Sequence, residues 1–95
     1  MTGDAFDPAS KPRLAPHRRL KFDEPRKQWI IQAPERAFVL DEIAHAIVSR
    51  CDGTRSFAAV VDELCALVPD APREVIASDA RELIEGLVAK GVMVP

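Results

Sequence analysis

The chain has 95 residues, enough for one small domain. Such a domain buries only about 60–65% of its unfolded surface, so a deep enclosed substrate cavity is not expected. Hydrophobic residues make up 47% of the sequence, enough for a core, and the net charge is −2. That small net charge conceals a division: residues 11–27 carry seven basic against two acidic groups (net +5), and residues 28–95 six against eleven (net −5). The basic segment suits an acidic partner such as nucleic acid, an anionic lipid surface or an acidic peptide, or else a solvated arm. Cys51 and Cys65 stand alone, which implies reduced thiols and no disulfide framework. The N-terminus, Met-Thr-Gly-Asp-Ala-Phe-Asp, has no apolar segment of a signal peptide, and no apolar run approaches the roughly 20 residues of a membrane span. A cytoplasmic protein without a membrane association is expected.

In chain order, residues 1–16 hold Pro8, Pro12 and Pro16 among small and charged residues without periodicity. This predicts a disordered tail ahead of a domain at 17–95. From Arg19 the pattern alternates, with Leu20 and Phe22 on one face and Arg19, Lys21 and Asp23 on the other, as in a half-buried strand. Glu24 to Lys27 form a turn, and Trp29, Ile31 and Ala33 share one face of a second strand. Pro34 presets a β-turn, and Arg36–Leu40 reads as a third short strand. The result is an antiparallel three-stranded meander, or a hairpin followed by an extended segment.

Three helices follow. Asp41 caps the first, whose apolar face is Ile43, Ala44, Ile47, Val48 and Cys51, with Asp52-Gly53 as its stop. Ser56 caps the second, with Phe57, Val60, Val61, Leu64, Leu67 and Val68 on one face. Pro72 opens the third, which carries Val75, Ile76, Ala80, Leu83, Ile84, Leu87 and Val88 on a broad face and ends at Gly91. Val92–Val94 adds a short strand. The predicted class is α+β, a winged-helix-like domain.

No arrangement of residues supports catalysis. His17 and His45 have no nucleophile or acid at a motif spacing, so no nucleophile–base pair is expected. His45, Cys51 and Cys65 lack the close pair of a structural zinc site, which leaves no metal or other cofactor expected. A DNA-reading helix needs basic and amide side chains, whereas the third helix exposes more acids than bases. Nucleic-acid binding by the winged-helix fold therefore stays as the alternative function. Trp29 is read as a core residue between sheet and helices, with an anchor at a partner surface as its other reading.

The run Arg19-Leu20-Lys21-Phe22-Asp23, followed by Arg26, Trp29, Ala33-Pro34-Glu35-Arg36, Leu40, Cys51-Asp52-Gly53, Ser56 and Lys90-Gly91, resembles the PqqD family across about residues 17–94. The resemblance implies a non-enzymatic peptide chaperone of pyrroloquinoline quinone (PQQ) biosynthesis, of the kind called a RiPP recognition element. Such a protein binds the leader of the precursor peptide PqqA and presents the peptide to the radical SAM enzyme PqqE. It also implies a leader added as a strand beside the third strand and against the third helix. Carried onto this chain, the groove comprises Arg36, Ala37, Phe38 and Val39 on one wall, and Arg73, Ile76, Asp79, Ala80 and Leu83 on the other. A strand edge supplies main-chain hydrogen bonds and adjacent pockets read alternate side chains, while Arg36 and Arg73 are expected to meet leader carboxylates. An edge that accepts a peptide also accepts a second copy, so a homodimer formed by exchange of the N-terminal hairpin is expected at high concentration.

Overall fold

The alternation from Arg19 becomes a sheet in the computed structural model, which describes residues 9–34 and 36–95. Strands β2 (Arg19–Asp23), β3 (Gln28–Ala33) and β4 (Arg36–Leu40) form an antiparallel meander in the order β2-β3-β4. Leu20 pairs with Ile31 and Phe22 with Trp29; across the other ladder Trp29 pairs with Leu40 and Ile31 with Phe38. Because side chains alternate between the faces of a strand, these residues line one face, where Ile31 is fully buried. Arg19, Lys21, Ile30, Ala37 and Val39 occupy the other. Lys27 takes a left-handed φ of 53° in the β2–β3 turn and donates its backbone N–H to the Glu24 carbonyl.

Helices α1 (Glu42–Val48), α2 (Phe57–Leu67) and α3 (Arg73–Ala89) follow. The side chain of Asp41 accepts from the Ala44 N–H at 2.8 Å and that of Ser56 from the Ala59 N–H at 3.1 Å, so both predicted caps satisfy helix-start donors. Gly91, at φ 76°, closes α3 in a Schellman motif: its N–H donates to the Val88 carbonyl, and the Val92 N–H to that of Leu87. The first helix is shorter than expected. It ends at Val48, and Arg50 and Cys51 turn back through hydrogen bonds to the carbonyls of Ile47 and Val48. Gly53, at φ 84°, therefore serves the following loop rather than the helix end.

The core lies between the inner sheet face and the three helices. Ile31, Val60, Ala80 and Ile84 are wholly enclosed, with Ile47, Phe57 and Leu87 around them. Trp29 is half-buried at the junction of sheet and α1, with its ring stacked on His45 at 4.2 Å and edge-on to Phe22. It packs against the core from a partly exposed position that fits either of its two readings, through a histidine partner that spacing alone did not suggest.

The expected tail needs correction. Strand β1 (Arg13–Leu14) pairs antiparallel with β5 (Met93–Val94), and Arg13 also bridges Asp52. Backbone hydrogen bonds run from the Phe57 N–H to the Ser10 carbonyl (2.7 Å), from Gly53 to Pro12 (3.1 Å) and from Ala15 to Val92 (2.9 Å). Pro12 and Ala15 are buried. Residues 9–16 thus strap the loop before α2 to the C-terminus, and the prolines mark an extended segment rather than a disordered one. The part of the expectation covering residues 1–8 lies outside the described residues.

Candidate functional site

The phase of the β3–β4 ladder fixes what β4 offers. Ala33 pairs with Arg36 across the turn, and Pro34 has no N–H. A non-hydrogen-bonded pair at that position would need a bond from residue 34, so Ala33 and Arg36 must be the hydrogen-bonded pair. Alternation then makes Ile31–Phe38 and Trp29–Leu40 hydrogen-bonded as well. Ala37 and Val39 direct their N–H and C=O groups away from β3. Since β4 ends the sheet order, those four groups form a free edge of about 7 Å, two residues along a strand. Val39 is 63% exposed and Ala37 is small and exposed, so nothing in the side chains closes that edge.

A second surface lies where the helical core is left open. The first turn of α1, the last turn of α2 and the first turns of α3 border an apolar groove of about 460 Å³. Ile43 (69% exposed), Leu67 (55%) and Val75 (50%) project into it beside Val68 and the half-buried Ile76. Its ionisable lining consists of Glu42 and Asp79.

The nine expected groove residues divide between these surfaces and the interior. Ala37 and Val39 present the free edge. Arg36 and Phe38 lie on the inner face, where the Arg36 guanidinium sits 5.2 Å from the half-buried Phe38 ring. Ile76 and Asp79 line the groove. Ala80 has no exposed surface and Leu83 packs against the core, so Ala80 in particular supports the wall without touching a ligand. Arg73 turns toward α2 and bonds Asp62 at 2.6 Å, a contact that raises its already high pKa. It is therefore not a vacant cation waiting for a leader carboxylate.

Sequence reasoning missed Glu42, Ile43, Leu67, Val68 and Val75 as surface features, having given the four apolar ones to the core. A signal was present for Val75. At roughly 100° per residue it lies about 140° around α3 from Ala80, beyond the stripe that one neighbouring helix can cover.

Cys51 and Asp52 belong to the frame around the loop before α2. Burial pushes the Cys51 thiol up to about 12, with Asp52 adding to the effect, and its Sγ donates to the Ile47 carbonyl. Hydrogen bonds from the Thr54 N–H and hydroxyl, with a further one from the Arg55 N–H, hold the Asp52 carboxyl down to about 2. Among the described residues, no three His, Cys, Asp or Glu side chains are placed to hold a metal ion, and no helix is long and apolar enough to cross a membrane.

The fold and site define a small α+β domain with an open strand edge beside an apolar helical groove, and such an edge offers the main-chain donors and acceptors that an added strand pairs with. Comparison with known proteins specifies it further. The family model of Coenzyme PQQ synthesis protein D (PqqD) matches residues 28–93, and the chain belongs to that family. A PqqA binding protein of Rhodopseudomonas palustris (strain HaA2) is 44% identical over 84 residues, covering 88% of this chain and 81% of the relative. One from Gluconobacter oxydans (strain 621H) is 44% identical over 75 residues, covering 79% and 77%. The solution NMR structure of the PqqD truncation of Methylobacterium extorquens PqqCD, a functional and stand-alone RiPP recognition element, superimposes with a TM-score of 0.78. It is 33% identical, with 95% of each chain covered. The crystal structure of PqqD from Xanthomonas campestris gives 0.54 at 39% identity, covering 90% and 93%.

Proposed function

We propose that this protein is a non-catalytic peptide chaperone of PQQ biosynthesis, which binds the leader of PqqA and presents the peptide to the radical SAM enzyme PqqE. The observation that carries the reading is the free edge at Ala37 and Val39. Two residues there offer four unpaired backbone groups, and a leader strand can satisfy them whatever its side chains. Membership in the PqqD family and relatives named as PqqA binding proteins support the choice of peptide. Ordering a flexible leader costs about 2–5 kcal/mol of the gross interaction energy, which points to roughly micromolar to submicromolar binding. Such binding suits a carrier that must release its cargo. Strand exchange through the same edge would make a dimer at high concentration, in competition with the leader.

The test is an NMR titration of the labelled chain with PqqA, repeated with PqqE present. The expected result is shifts clustered at residues 36–40 and 72–84, and a ternary complex when PqqE is added. Shifts confined to the basic residues 11–27 would overturn the placement of the peptide. A failure of PqqE to join the binary complex would overturn the presenting role.

A further inference from the structure

The ends of the three helices leave apolar residues uncovered around a concave surface, and folding alone gives no reason for it. Ile43, Leu67 and Val68 continue the buried stripes of α1 and α2 but stand at helix ends that no neighbour covers, and Val75 flanks the stripe of α3. Their ends converge on the 460 Å³ groove, within the range of about 300–1,000 Å³ typical of ligand clefts. We propose that this groove binds apolar side chains of the peptide together with one basic side chain, which sits against Glu42 and Asp79. The inference rests on the peptide-binding reading above and names the chemistry that the peptide must bring.

Two observations select this occupant. The groove lies next to the end of the free edge: Glu42 lines both the groove and the neighbouring hollow that Val39 and Leu40 border, and Ile43 follows Val39 by four residues. A peptide paired with β4 and running toward α1 therefore passes from the edge into the groove. The second observation is charge. Glu42 and Asp79 line the groove without a basic partner in it, and Arg73 at the start of α3 is bonded to Asp62. An acidic leader segment would meet two carboxylates at the apolar surface and be repelled, whereas a lysine or arginine next to apolar residues would be paired. The same carboxylates disfavour a nucleic acid or an anionic lipid surface.

Calorimetric titration of the full chain with PqqA tests the proposal, using Ile43→Asn, Val75→Asn and the double variant Glu42→Gln/Asp79→Asn. The exposed positions allow these changes without loss of the fold, which a thermal melt checks. Each asparagine variant is expected to weaken binding at least tenfold. The double variant should weaken it several-fold and flatten its salt dependence. PqqA with its basic residues replaced by glutamine should bind more weakly to the wild type and lose nothing further on the double variant. Wild-type affinity in both asparagine variants would overturn the groove. If Ala37→Pro still weakened binding in that case, the edge reading would stand alone. Absence of any PqqA binding by the wild-type chain would overturn both. A loss of self-association in Ile43→Asn with unchanged peptide affinity would assign the groove to a second copy and overturn the proposal.

Discussion

The phase of the β3–β4 ladder makes adjacent positions respond oppositely to proline. Phe38→Pro removes the N–H that bonds Ile31 and most of a half-buried ring. A lost backbone hydrogen bond that leaves its partner unsatisfied costs about 1–3 kcal/mol. Complete truncation of a buried Phe costs about 3–5 kcal/mol, so half of that is a fair share here. The sum is about 3–5 kcal/mol, which lowers the melting temperature of a domain this size by roughly 15–30 °C. Ala37→Pro removes an N–H that faces solvent, and the restricted unfolded chain offsets part of any strain, so the fold should change by less than about 1 kcal/mol. Peptide binding behaves differently. The lost donor and the ring at the edge together should weaken PqqA binding at least tenfold, about 1.4 kcal/mol. Thermal unfolding and calorimetric titration of both variants make the comparison. Melting of Ala37→Pro as low as that of Phe38→Pro would refute the ladder phase, and unaltered peptide affinity in Ala37→Pro would refute strand addition at β4.

Deleting residues 1–16 should lower stability by at least about 3 kcal/mol, roughly one for each of the hydrogen bonds at Phe57, Gly53 and Ala15, with the β1–β5 ladder and the burial of Pro12 and Ala15 adding to it; an unchanged melting temperature would show that the strap contributes nothing. Asp52, with its folded pKa depressed to about 2 from 3.8, contributes stability that is present above pH 4 and lost as pH falls through 2. The stability gap between wild type and Asp52→Asn should accordingly shrink as melts are run from pH 5 down to pH 2, and a constant gap would contradict the linkage. A thiol reagent at pH 8 should modify Cys65 rapidly in the native protein and Cys51 only after unfolding, because burial keeps Cys51 protonated; equal rates by mass spectrometry would refute this. Sedimentation should detect dimers at high concentration that PqqA dissociates, and a monomer throughout would exclude strand exchange.

The elements that were legible in the sequence are those whose cause is local. Alternation set β2, β3 and β4; Asp41 and Ser56 announced two helix starts, and Gly91 a helix end, because a cap needs only the residues beside it. The strap was not legible. Pro12 and Pro16 look like breakers of structure, yet residues 9–16 gain their order from β5 and from the loop before α2, both distant in the chain. Likewise Arg36 and Arg73 looked equally available, since nothing in the sequence says that Asp62 faces Arg73 across two helices.

The groove shows a deeper limit, because the two fates of an apolar residue share one pattern. Ile43 and Ile47 are a turn apart on the same face of α1, and the periodicity that predicts burial treats them alike. Ile47 is 3% exposed and Ile43 is 69% exposed, and the difference comes from where α2 and α3 end rather than from α1 itself. A domain of this size could cover those ends with polar residues at little loss to its fold. Ile43, Leu67, Val68 and Val75 stay apolar at the mouth of one groove although folding does not require it, which is the pattern of an interaction surface and is what the proposed peptide binding would explain. Ile43→Asn is therefore the decisive substitution: an unpartnered isoleucine should tolerate it with no loss of stability or affinity, while one that holds a peptide should lose affinity and keep its fold.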